Sequence, residues 1–101
     1  GLMQQKKDVI DDVCRQIVDL IHPQELIVFN VKTSGETVTA FKVCTVCGDT
    51  DPQAAEHVVY LNVDCDVPFD ILVYTAQQWA RQLQNPYSFA QQIHKMGRRY
   101  L

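Results

Sequence analysis

The sequence has no excess of positive charge. Nine lysines and arginines face twelve aspartates and glutamates, for a net charge of -3 at pH 7. The basic pairs Lys6-Lys7 and Arg98-Arg99 lie at opposite ends of the chain. No basic stripe is present to meet a run of phosphates, which excludes a general nucleic-acid binder. Glycine is scarce too, with four in 101 residues, and none opens a G-x-x-x-x-G-K phosphate loop. No apolar run approaches the roughly 20 residues that a membrane-spanning helix needs. The first residues lack the charged, apolar and small succession of a secretory signal. The expected compartment is therefore the cytoplasm, where the four cysteines would be reduced thiols.

What is there is an ordinary globular composition, 47% apolar and 21% charged. The length suits one domain over residues 1–101, with one hydrophobic core. Residues 4–21 carry Val9, Ile10, Val13, Cys14, Ile17, Val18 and Ile21 at helical spacing, a single apolar stripe. Pro23 ends that helix, because the residue before a proline is pushed out of helical geometry. Residues 25–31, "ELIVFNV", read as a buried strand. Residues 32–37 read as a turn centred on Gly35, and 38–47 as a hairpin partner of the first strand.

A loop at 48–53 leads into the ambiguous stretch 54–63. Ala54, Ala55 and Glu56 favour a helix start, whereas Val58, Val59, Tyr60 and Val63 favour a strand. The expectation is a short helix with an extra strand close behind. A third strand follows at 69–74. Thr75 then caps a helix that stops at Asn85, with Gln78 completing a capping box. Pro86 suits the first position of a last helix, 86–96, with Asn85 as its cap and Gly97 at its end. The predicted fold class is α+β, a small mixed or antiparallel sheet flanked by helices.

Few motifs carry chemistry. Cys44-Thr45-Val46-Cys47 has metal-site spacing, but on a strand positions three apart point to opposite faces. No shared metal is expected there. His22, His57 and His94 fall in separate segments, with no nucleophile tied to any of them. Asp49 with Asp51, and Asp64 with Asp66, form D-x-D pairs that suit either a divalent ion or simple turn chemistry. Trp79, Tyr87 and Phe89 read as core or dimer contacts, or as an aromatic binding patch. The odd residue is Asp70, an acid inside the apolar run "PFDILVYT", where an ionised carboxylate is costly to bury.

The passage from Asp66 to Leu101 resembles the carboxyl half of small bacterial nucleotidyltransferases, the minimal domains of the DNA polymerase β-like superfamily. Pro68, Asp70, Tyr74, Thr75, Trp79, Pro86, Ser88, Phe89, Ile93, Gly97 and Arg98 match the family's order of strand, threonine-capped helix, "P-x-S-F" helix and Gly-Arg pair. Before residue 66 the likeness is one of outline. The resemblance implies metal-assisted nucleotidyl transfer, with three carboxylates holding two divalent ions such as Mg2+ that bridge a triphosphate. It also implies nucleotide contacts near Asn30 and Lys32, and possible pairing with a protein partner or a second copy.

The sequence departs from that pattern at the metal site. Phe29-Asn30-Val31 stands where the family has Phe-Gly-Ser. The family's D-x-D should fall near 40–44, and the register taken here puts Phe41 and Val43 in it; a shift by one gives Lys42 and Cys44. Asp70 alone matches a family carboxylate. The expectation is therefore a degenerate member with no catalytic metal, acting as a binding or partner module. The alternative is an active transferase moving a nucleoside monophosphate from a triphosphate to an unknown acceptor. It would hold Mg2+ through Asp70 together with Asp49, Asp51, Asp64 or Asp66. A third possibility is an unrelated α+β domain.

Overall fold

The first helix begins where an acid can cap it. In the computed structural model, which describes residues 8–101, the Asp8 carboxylate accepts a hydrogen bond from the Asp11 N–H at 3.1 Å. That cap opens α1 (Val9–Ile21). The part of the expected helix at 4–7 and the Lys6-Lys7 pair lie outside the described residues. Ile10, Val13, Cys14 and Ile17 form the buried stripe of α1. The helix closes on His22, which is left-handed at φ 48° and donates its N–H to Val18 O.

A long hairpin follows, β1 (Glu25–Ser34) antiparallel to β2 (Thr37–Val46). Gly35 makes the turn at φ 61°, a conformation that glycine adopts without a Cβ penalty. The Asp51 carboxylate accepts from Gln53 N–H and caps α2 (Pro52–Asn62), with Pro52 at the favoured start. That helix returns the chain to β3 (Phe69–Tyr74), which runs parallel to β2. Thr75 and Gln78 form the expected capping box of α3 (Ala76–Leu83). After α4 (Phe89–Met96), a short strand β4 (Arg98–Arg99) pairs antiparallel with β1. The sheet order is β3-β2-β1-β4.

Strand alternation divides the core into two layers. Leu26 and Val28 of β1, Phe41 and Val43 of β2 and Ile71 of β3 pack against α1 and Val59 of α2. Ile27, Phe29, Cys44 and Val46 pack on the other side against Trp79, Ala90 and Ile93 of α3 and α4. The protein is thus α+β, with a four-stranded mixed sheet flanked by helices.

Several expectations shift in detail. The β1–β2 hairpin runs further than expected, so the turn shrinks to Gly35-Glu36. The short helix expected in 54–63 is there as α2, but the extra strand expected behind it is absent, and no strand intervenes before Phe69. The amphipathic stripe of that helix is only Ala55 and Val59, which is why valines and a tyrosine on its other faces imitated a strand. The last helix starts at Phe89, not Pro86. The Asn85 side chain accepts from Tyr87 N–H at 2.9 Å and holds a turn instead, while Ser88 takes the cap. Ser88 also donates its hydroxyl to Gln82 O at 2.8 Å, tying the two helices together. The strand β4 was not anticipated, because two arginines carry no strand pattern of their own.

Candidate cleft at the open end of the sheet

Asp70 does not sit in a buried strand. β3 is an edge strand, and Asp70 is exposed near its start. The burial penalty expected for it therefore does not arise. In the parallel register Asp70 lies beside Lys42, and Lys42 lies beside Phe29 on β1. Phe29 belongs to the α3/α4 layer, so this row of three shares that face.

The register separates Phe41 and Val43 from the face that carries Asp70. Phe41 and Val43 carry their side chains into the α1 layer, 1% and 0% exposed, so Phe41 only borders the cleft and Val43 does not reach it. Cys44 shares the Asp70 face but is closed over by the second core layer. The two positions, two residues apart, that line an open cleft with Asp70 are Ala40 and Lys42. Asn30 and Lys32 of β1 and the apolar Phe41, Pro68 and Phe69 complete its lining, and the cleft measures about 270 Å³. Of the residues named from the sequence, the structure brings Asp70, Asn30 and Lys32 to one cleft. It adds Lys42 and Ala40.

The backbone at Asn30 shapes this rim. Phe29 pairs with Lys42 and Lys32 with Ala40, so Asn30 and Val31 together oppose Phe41 in a β-bulge. Asn30 adopts φ 52°, the left-handed region where glycine is easiest and asparagine is the usual substitute. The register shifts back between Lys32 and Thr33, where the Thr39 hydroxyl donates to Lys32 O at 3.2 Å. A second hollow of about 480 Å³ shares Asn30 with the cleft and is lined in part by Phe29, Val31 and Met96.

The other candidate acids lie elsewhere. Asp64 and Asp66 border a separate hollow of about 80 Å³ with Asp12. Asp51 is occupied as the α2 cap. The Asp64 backbone is held by Gln16 through two 3.0 Å hydrogen bonds. Among the described residues no group of three or more histidines, cysteines, aspartates or glutamates converges on one point. One carboxylate with two ammonium groups does not fit a pair of divalent ions, which need clustered negative charge.

The remaining motifs behave structurally. Cys44 and Cys47 are free and buried. Cys44 lies in the α3/α4 layer, while Cys47, just past β2, is buried at 3% exposure. Burial pushes the thiols of Cys14 and Cys44 up to about 12. His22 ends α1, and His57 and His94 are exposed. Trp79 is a core residue at 4% exposure, whereas Tyr87 is 88% exposed and belongs to no core. Phe89 meets Phe29 edge to face, with ring centres 5.8 Å apart.

No family model matches the chain, and neither the curated proteins nor the solved structures contain a match to it. Among the described residues no helix is long and apolar enough to cross a membrane.

Proposed function

We propose that the chain is a degenerate nucleotidyltransferase-like domain that binds a nucleotide and does not transfer it. The observation that carries this reading is the charge of the cleft. Where a transferase presents carboxylates for two metal ions, Ala40 and Lys42 stand beside Asp70, with Lys32 on the next strand. Such a lining attracts an anion and repels a divalent cation. The left-handed backbone of Asn30 supports the same reading. It falls at the position where the family places a glycine, so the turn that lets a phosphate approach is kept while the residue has changed. The adjoining hollow, with Phe29, Val31 and Met96 on its wall, offers apolar surface to a base.

The exposed side chains of Tyr87, Phe89 and Met96 favour a second role, contact with a partner protein or a second copy. Sedimentation at rising protein concentration tests that role, and a monomer at every concentration rules out the second copy. The nucleotide reading is tested by amide chemical shifts during an ATP titration. Shifts concentrated at residues 30–32, 40–42 and 68–70 are expected. Shifts confined to other surfaces, or no shifts with any nucleotide, contradict it.

A further inference from the structure

We propose that the cleft holds the phosphates of its ligand without a divalent ion, the ammonium groups of Lys42 and Lys32 standing in the ion's place. The inference rests on the nucleotide-binding reading above and specifies its chemistry. In a two-metal site the cations sit between acidic side chains and the triphosphate and reconcile two sets of negative charge. Here Lys42 lies in register beside Asp70 on the neighbouring strand. A tethered positive charge therefore lines the cleft together with the remaining carboxylate. Lys32 adds a second one from β1, across from Ala40. The small Ala40 side chain leaves open the space that an acid would fill. Lysine donates in three directions from a flexible stem and meets phosphate as a point charge, with no fixed coordination geometry to satisfy.

The arrangement has two consequences that a metal site reverses. First, magnesium neutralises part of a triphosphate's charge, so adding it weakens attraction to the lysines rather than creating affinity. Second, Asp70 repels the phosphates. Its removal strengthens binding here, whereas removing a metal ligand abolishes binding in a metal site.

The test is a calorimetric titration of the full chain with ATP, ADP and inorganic triphosphate, in chelator and again with magnesium. Circular dichroism on each variant confirms that these surface changes leave the fold intact. Binding in chelator at least as tight as with magnesium is expected. Lys42→Ala should weaken it about fivefold, and Asp70→Asn should tighten it roughly two- to fivefold, the range of partly exposed charge pairs. Binding that appears only with magnesium and is lost in Asp70→Asn overturns this inference and leaves the nucleotide reading standing. Binding in chelator that Lys42→Ala and Lys32→Ala both leave unchanged overturns the placement of the phosphates. Absence of binding under every condition overturns the nucleotide reading and the inference together.

Discussion

Asn30 allows the sharpest test of local structure, because its side chain is exposed while its backbone is constrained. With φ at 52°, the residue occupies a region that costs an ordinary L-residue roughly 1–2 kcal/mol and a β-branched one the most. Asparagine tolerates it better. No core packing is lost on substitution, since Asn30 lies on the surface. Asn30→Val should therefore destabilise the fold by about 1–2 kcal/mol through backbone strain alone. Asn30→Gly removes the strain but gives the unfolded chain more freedom, worth roughly 0.4–1 kcal/mol in the opposite direction. Its net effect should lie close to zero. Thr33→Val, three residues along the exposed second half of β1 and outside the positive-φ set, is the control and should stay within about 0.5 kcal/mol. Urea unfolding at constant m-value reads all three, and for a chain of this size 1 kcal/mol corresponds to a shift of about 4–8 °C in Tm. If Asn30→Val is as stable as the parent chain, the bulge is not where the account puts it. If Asn30→Gly loses more than about 1 kcal/mol, the amide side chain holds the rim in a way that strain does not explain.

Further outcomes follow from packing and charge. Gly97→Ala should cost about 2 kcal/mol in urea unfolding, because a Cβ there meets the Ile27 side chain and comes within 2.7 Å of Ile93 O. Since Gly97 has φ -75°, the cost is one of space, and an unchanged stability would refute the close approach of α4's end to β1. Tyr60→Phe should lose about 0.5–1 kcal/mol, since the Tyr60 hydroxyl accepts from Ile71 N–H at 3.0 Å and covers the free edge of β3. Burial raises the Cys14 and Cys44 thiols from 9.0 to about 12, so the folded chain keeps protons that the unfolded chain releases. Stability should then be flat below about pH 9 and fall as pH rises toward 12, by up to roughly 1.4 kcal/mol per pH unit for each thiol. A flat profile across that window would place both thiols at the surface. The pair Ala40→Asp and Lys42→Asp should create Mn2+ binding with a dissociation constant of about 10⁻⁴–10⁻³ M, absent from the parent chain. Failure to bind would mean that positions 40 and 42 do not face Asp70.

Three of the four strands were legible because they are short apolar runs rich in β-branched and aromatic residues, and α1 because its stripe is regular. Boundaries failed where a local side chain outbid a general preference. Asn85 and Pro86 look like a helix start, yet Asn85 spends its carbonyl on Tyr87 N–H and Ser88 caps the helix instead. Three residues named from the sequence line one cleft, but their register was not legible. Alternation alone gives two equally good placements of β2, and the structure chooses through the bulge at Asn30 and the pairing of Lys42 with Asp70. The sign of the cleft follows from that choice. Asp70 read as buried because five apolar neighbours surround it in sequence, but β3 is an edge strand and its acid faces outward. No pattern within residues 69–74 distinguishes an edge strand from a central one.

The central claim is that this cleft binds without transferring, and the most direct test is a transfer assay. The full chain is incubated with each of the labelled nucleoside triphosphates, with magnesium and with manganese, and label is sought on the protein itself and on small acceptors. The account predicts none, with or without Asp70, because one carboxylate in a cleft that also carries Lys42 and Lys32 cannot position two cations on a triphosphate. Label that forms in the parent chain and disappears in Asp70→Asn would contradict it.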